Sequence, residues 1–442
     1  MVGWLVLKYA TSPDPAKAAP LSQHEDKYVR LAFGRYAKEQ FRKAGEQIVA
    51  YHYKYERRFH CDCGPKDGRP PQLFLVEGRF IRREPDDAGT PHKDECDFFK
   101  DAVEQNNVIS SYQYKKPSRI LNLLPNFKDD TDYAPIAAGT DRSSQNEDRS
   151  KLAKIMMHLL HQGGLDIMPQ DGILKNDDPR EHYRQDDALK EAARGLMITS
   201  SRKLIDYMAL SLNGYYRLIK NLQSEIHMKE RAQGVLIEVF ERIEDNVLYP
   251  QKGEAIPVAG KLSVFGEHIS LHRGPYLVIG LLGQPDKYSD KIEMIKAYAH
   301  PCAYWTRFML VDSKLERRTL EILIKLRDRL KDEFHVTMTI EKPLHDVGPT
   351  LNNEPREVCI PDFILRARGE EVKHRMIVIE TMGYNDPEYR ERKQRMRPYF
   401  EHIYDSRYAV PVIEHDSHIV GLDKTQIDHK FMGDVINTIL NK

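Results

Sequence analysis

Hydrophobic and polar positions change period several times along the chain, and those changes divide it. The last stretch is the most legible. After Asp312-Ser313, Leu320, Leu323 and Ile324 recur at helical spacing and predict a helix over about 314–331. Apolar runs predict strands near 334–341, 358–367 and 373–381. A helix starts at Pro387, a strand covers about 408–414, and a last helix spans about 424–440. The order is α-β-β-β-α-β-α. Upstream, Gln72-Leu73-Phe74-Leu75-Val76, Glu77-Gly78 and Phe80-Ile81 read as a hairpin. Residues 126–150 are polar and predict a linker or loop. Leu152, Ile155, Met156 and Leu159 predict a helix that Gly163-Gly164 stops. A second polar stretch covers about 169–186. Residues 187–248 read as mostly helical, including Val235, Leu236, Val239 and Phe240, and residues 255–310 as strand-rich.

The expected fold is therefore multidomain α+β. A β-rich module occupies 1–125, a linker and helical region 126–250, a strand-rich connecting region 251–311, and an α/β domain 312–442. The length of 442 residues agrees with several cores rather than one.

The α/β domain carries a pair of acids. Asp362 follows Pro361, and Glu380 closes Met376-Ile377-Val378-Ile379. With Gly369-Glu370-Glu371 as the turn and pairing symmetric about residue 371, Asp362 lies opposite Glu380. Directly opposed residues share a face, with Cβ atoms ~5 Å apart. Two carboxylates that close repel unless a cation or proton lies between them. The plainer alternative makes Asp362 a turn residue and Glu380 a strand end. Glu316 is a third candidate. Ser313-Lys314-Leu315-Glu316 is a capping box, yet Glu316 also shares a helical face with Leu320, Leu323 and Ile324.

This acid pair, set in an αβββαβ order, resembles the PD-(D/E)XK nuclease superfamily. The resemblance implies Mg²⁺- or Mn²⁺-dependent hydrolysis of DNA, with Asp362 and Glu380 holding the metal and Glu316 supporting it. The family's lysine belongs two residues after the Glu, where this chain has Met382. Some members place an equivalent lysine on the following helix. Here Lys393 falls in line with Tyr389, Met396 and Phe400, on an otherwise apolar face. Either a carboxylate cluster partners it, or it snorkels to water. Without such a lysine the fold would be a degenerate, non-catalytic DNA-binding or adaptor module. Arg390, Arg392, Arg395 and Arg397 surround Lys393 and either contact phosphates or form a solvated face beside Glu388 and Glu391.

Cysteine adds a second chemistry. Cys61, Cys63, His92 and Cys96 offer three thiolates and an imidazole, a full donor set for structural zinc, with His60 a possible substitute. The alternative is ordinary buried cysteines. Arg79, Arg82 and Arg83, with Lys54, Arg57, Arg58, Tyr51, Tyr53 and Tyr55, would make either a basic-aromatic surface suited to nucleic acid or the polar face of a strand. The Cys-x-Cys…His-x-x-x-Cys run, with Met156-Met157-His158-Leu159-Leu160 and Gly164-Leu165, is similar to an uncharacterised family of bacterial plasmids and mobile elements. His158 and His161 alone lack a third ligand, and we read them as surface or core histidines.

Charge narrows little. Lys plus Arg and Asp plus Glu are 67 each, so DNA contact must come from local patches. Five cysteines, three of them within residues 61–96, argue for a reducing, cytoplasmic setting. No apolar run reaches the ~18 residues a membrane span needs. DNA is the expected partner, other proteins are possible ones, and no membrane is involved.

Overall fold

The computed structural model describes residues 4–7, 19–34, 39–63, 70–76, 80–83, 90, 92–93, 96–98, 112–124, 126, 139–143, 149–169, 179–226, 228, 230–265, 274–350, 358–383 and 387–440. The turn at Glu77-Gly78, Arg79, most of the polar stretches 126–150 and 169–186, and the helix-capping Asn385 and Asp386 lie outside them, as do the side chains of Arg82 and Arg83. The chain divides into two compact units, Met1–Asn107 and Val108–Lys442.

In the first unit the elements are β1 (Trp4–Leu7), β2 (Ala19–Pro20), α1 (Gln23–Phe33), α2 (Arg42–Lys54), β3 (Arg57–His60), β4 (Gln72–Val76) and β5 (Phe80–Arg83). They form an antiparallel sheet of order β2-β1-β3-β4-β5. The expected hairpin is β4 with β5. Ser22 opens α1 with a capping box closed by Glu25. Val29 and Val49 from the two helices meet Phe59, Leu73 and Leu75 in a small core that also contains Cys61, Cys96 and Phe98.

The second unit opens with β6 (Gly139–Ser143), α3 (Lys151–Gln162), β7 (Ile167–Met168), α4 (Pro179–Ala193), β8 (Met208–Ala209) and α5 (Leu212–Ser224). Then come β9 (Gln233–Phe240), β10 (Arg242–Glu244), β11 (Val247–Tyr249), β12 (Ile256–Pro257), β13 (Lys261–Phe265), β14 (Tyr276–Gly283), β15 (Glu293–Tyr304) and β16 (Arg307–Leu310). Seven of these strands make one sheet, β6-β13-β15-β14-β9-β8 with β16 on β15. The helical reading of 233–240 is corrected: that segment is β9, paired antiparallel with β14 along its whole length. Both strands are covered on both faces, by two apolar clusters. A strand buried on two sides reads as a continuous apolar run, and periodicity alone does not separate it from a buried helix.

The remaining elements are α6 (Lys314–Phe334), β17 (Thr337–Glu341), β18 (Phe363–Arg368), β19 (Met376–Met382), α7 (Pro387–Glu401), β20 (Val412–Asp416) and α8 (Lys424–Leu440). They follow the expected α-β-β-β-α-β-α order. The sheet runs β20-β19-β18-β17-β7, with only β19 and β20 parallel. Its edge strand β7 comes from far upstream. The pleat sends alternate residues to opposite faces. Phe363, Leu365, Ile377 and Ile379 pack with Leu320 and Leu323 of α6 and with Phe431 and Val435 of α8. Ile364 and Val378 pack on the other face with Met396 and Phe400 of α7.

Candidate active site and metal centre

Strand register builds the acid pair. Phe363 pairs with Ile379 and Ile364 with Val378, so the next step of the ladder sets Asp362 against Glu380. Both share the pleat phase of Ile364 and Val378, hence the α7 face. The Asp362 N–H donates to Glu380 Oε1 at 3.1 Å. Thr381 donates to Asp362 Oδ2 through its N–H at 2.6 Å and its hydroxyl at 2.7 Å. Lys393 comes down from α7 onto this pair, hydrogen-bonded to Glu380 Oε2 and 3.8 Å from Asp362 Oδ2. Its helical neighbours behave as their spacing predicts. Met396 and Phe400 are buried, and the Tyr389 hydroxyl donates to the Thr381 carbonyl at 2.9 Å. Burial pushes the Glu380 carboxyl up to about 7, against the pull of Lys393 and with a further push from Asp362. Burial disfavours the Lys393 ammonium too, but Asp362 and Glu380 outweigh it and raise its pKa above the usual lysine value.

Glu316 reaches the same end of the sheet from α6, on the other face. Ser313 caps the helix by accepting from the Glu316 N–H at 3.1 Å. The Glu316 carboxylate does not close the box on Ser313; it accepts from the Asp312 N–H at 2.9 Å and from Lys342 Nζ at 2.8 Å. Lys342 is 2% exposed, lies one residue past β17, and stands 3.4 Å from Asp312. Asp312 in turn meets His300 at 2.9 Å, and His300 meets the Tyr298 hydroxyl at 2.9 Å. Burial raises the Glu316 carboxyl well above the usual range, partly offset by Lys342 and reinforced by Asp312 and Asp362. Sequence reasoning missed Lys342, Asp312 and His300. The available signal was a lysine directly after an apolar strand, Ile340-Glu341-Lys342.

Asp312, Glu316, Asp362 and Glu380 therefore face Lys342 and Lys393 in one electrostatically linked group. With all four acids ionised, two negative charges are uncompensated, which a buried site does not tolerate without protons or a cation. Among the described residues, nothing donates to Asp362 Oδ1 or Glu316 Oε1. Asp362 and Glu380 supply oxygen donors of the kind a hard divalent ion takes, and the charge deficit favours one, but the four acids do not bring three ligand atoms within 4.8 Å of one another as the cysteine cluster does.

The four arginines of α7 sit differently. Arg390 pairs with Asp416 at 2.9 Å, Arg397 with Glu401 at 3.1 Å and Glu414 at 3.5 Å, and Arg395 with Glu391 at 3.9 Å. Arg392 lies over the Tyr389 ring.

In the first unit, Cys61, Cys63, His92 and Cys96 bring one ligand atom each within 4.8 Å of one another. Cys61 and Cys96 sulfurs are 3.4 Å apart, and His92 Nδ1 is 3.3 Å from Cys63 and 3.4 Å from Cys96. Tetrahedral zinc at ~2.3 Å from sulfur and ~2.0 Å from nitrogen needs this kind of convergence, so the cluster could hold a zinc ion. His60 is buried but is not part of the set. Tyr51, Tyr53 and Tyr55 are exposed, with Arg57 over the Tyr55 ring.

Residues 312–421 match the restriction endonuclease-like C-terminal domain family, so the chain carries a domain of that class, in keeping with the PD-(D/E)XK resemblance. Residues 4–102 and 113–302 match two domains of unknown function, DUF8534 and DUF8535. An Escherichia coli protein designated "Uncharacterized protein in cib 5'region" is 39% identical over 140 residues, 31% of this chain and 63% of that protein. The chain thus spans less than two thirds of that relative. No solved structure matches. No described helix is long and apolar enough to cross a membrane.

Proposed function

We propose that the protein is a metal-dependent nuclease that hydrolyses DNA phosphodiesters, acting as a component of a bacterial mobile-element or defence system in the cytoplasm. The carrying observation is the opposition of Asp362 and Glu380 on one face of the β18–β19 hairpin, with Lys393 between them. Asp362 and Glu380 would hold Mg²⁺ or Mn²⁺, with Glu316 in support through its open oxygen. Such an ion polarises a phosphodiester and acidifies water. Lys393 takes the place of the lysine absent at Met382: it fixes Glu380 and supplies positive charge against the negative charge that a phosphorane would develop. Thr381 locks the Asp362 carboxylate in orientation, leaving one oxygen outward. Arg390, Arg392, Arg395 and Arg397 of α7 would meet phosphates, exchanging for them the pairs that Arg390 makes with Asp416, Arg395 with Glu391, and Arg397 with Glu401 and Glu414. The Cys61–Cys96 cluster would hold a structural zinc ion, closed by four protein ligands, and its module would present Tyr51, Tyr53 and Tyr55 to nucleic acid or a partner protein.

A second reading makes the domain a non-catalytic DNA-binding adaptor. It draws on buried Met382 at the position of the usual lysine and on the Lys393–Glu380 ion pair, which can neutralise a retired site. Plasmid DNA incubated with purified protein and Mg²⁺ or Mn²⁺ separates the two, with Asp362→Ala as control. Cleavage that the substitution abolishes is expected. No cleavage with either metal would turn the assignment to the adaptor.

A further inference from the structure

A group of rings that the catalytic reading leaves unused gathers at the same end of the nuclease-like sheet. Tyr114, His158 and His161 of α3, and His345 meet there, although 231 residues separate the first from the last. Tyr114 stacks on His158 with ring centroids 5.9 Å apart and an interplanar angle of 16°. Its ring is 5.0 Å from both His161 and His345, and those two are 5.5 Å apart. The Tyr114 hydroxyl accepts from Gln162 at 2.8 Å and contacts His158 Nδ1 at 3.1 Å. Asp166 holds His161 by its Nδ1 at 2.7 Å. Both ring nitrogens of His345 are sealed from water without a hydrogen bond of good geometry.

Topology fixes where this group lies. Asp166 immediately precedes β7, which pairs with the last two residues of β17. That end of β17 is level with the start of β18, since Glu341 pairs with Ile364. Asp362 and Asp166 are thus at the same end of one sheet, two strand spacings or roughly 10 Å apart. Glu341 shares the pleat phase of Ile364 and Asp362 and is an electrostatic neighbour of His161.

The ring nitrogens do not converge as the cysteine cluster does. Among the described residues, that cluster alone brings three or more ligand atoms within 4.8 Å. The rings instead present a surface. Tyr114 is 39% exposed and the His161 side chain 42%. Ile167 beside them is also exposed, and Tyr114 leads an exposed basic run, Lys115, Lys116 and Arg119. Exposed aromatic faces next to cations are what unpaired bases and their phosphates bind. A base inside a duplex has no free face to offer.

The geometry points to a nucleotide subsite: Tyr114 and His161 stack an unpaired base beside the phosphodiester that an ion on Asp362 and Glu380 would polarise, so the substrate is single-stranded nucleic acid or a single-stranded end. This rests on the nuclease reading for its neighbour but not for its binding. The test uses the full-length protein without added divalent ions and a fluorescein-labelled single-stranded DNA oligonucleotide, alone or annealed to its complement. Anisotropy should show Tyr114→Ala weakening single-strand binding about tenfold or more, Tyr114→Phe binding as the parent does, and duplex binding unchanged. Tyr114→Trp should add an indole emission that the oligonucleotide quenches. Equal affinity of Tyr114→Ala and parent, equal losses for single strand and duplex, or an unquenched indole would each overturn the subsite. A protein that binds in the expected way yet cuts nothing with Mg²⁺ or Mn²⁺ would remove the hydrolase and leave the subsite. One that cuts while Tyr114→Ala binds and cuts like the parent would do the reverse.

Discussion

Replacing Lys342 by Met separates charge from packing. Methionine is close to lysine in length, and Lys342 Nζ already lies 5.6 Å over the Phe363 ring, a position a thioether occupies well. What the substitution removes is the ammonium that serves Glu316 at 2.8 Å and Asp312 at 3.4 Å. Asp312 keeps His300. Among the described residues Glu316, 4% exposed, then keeps only the Asp312 N–H. Where Glu316 is ionised, stripping one partner from this buried pair costs about 3–5 kcal/mol, because the other charge stays buried and unpaired; at lower pH its raised carboxyl takes up a proton instead and the cost is smaller. At about 2 °C per kcal/mol for a domain of this size, the melting temperature should fall by roughly 6–10 °C. Adding Glu316→Gln removes the stranded charge and should recover half of the loss or more, a coupling that a double-mutant cycle measures directly. Thermal and urea unfolding of the four proteins, without metal, provide the numbers. If Lys342→Met alone melts with the parent, or if the double variant is no more stable than the single one, the argument that Glu316 depends on Lys342 is wrong.

Other expectations follow from the same geometry. Lys393→Met should lower nuclease turnover by ~10²–10³ while DNA binding persists, as for loss of one charge-stabilising donor; unchanged turnover in a gel-based time course would remove Lys393 from the site. Zinc should be present at one ion per chain by colorimetric release, and Cys96→Ser should abolish it and lower the melting temperature of the Met1–Asn107 unit; a metal-free preparation as stable as the loaded one would refute this. Glu238 offers a pH test away from both sites. Burial pushes its carboxyl up to about 7, eased by the Val239 N–H and reinforced by Asp186, against 4.5 for an ordinary glutamate. Between those values the folded state keeps a proton that the unfolded chain has lost. Stability is therefore undiminished by this group below about pH 4.5 and declines as pH rises to about 7. Glu238→Gln should accordingly stabilise on the order of 2–3 kcal/mol at pH 8 and little at pH 4.5; equal shifts at both would sink the assignment.

Much of the C-terminal domain could be read in advance because its information is local. The hairpin turn at Gly369 and the alternation on either side set the register that joins Asp362 to Glu380, and helical offsets alone bring Lys393 to the same face. Lys342 escaped notice because its partners Asp312 and Glu316 lie a helix and a strand away. His158 and His161 looked inert because His345 is supplied by a distant loop and Tyr114 by another. The misreading of β9 has a different cause, an apolar run buried on both faces, for which neither a two- nor a 3.6-residue period shows. Two-residue β7 is too short to leave any pattern.

That short strand sets a limit on dissection. A fragment cut to residues 312–421 would lose Met168 from the rim beside Ile340, and with it Phe431, Val435 and Ile439, which fill the floor beneath Leu323 and Phe363. It would expose an unpaired β17 rim, an invitation to self-association. Work on the nuclease-like half is better begun near residue 108 and carried to the final helix, so that the sheet is handled whole.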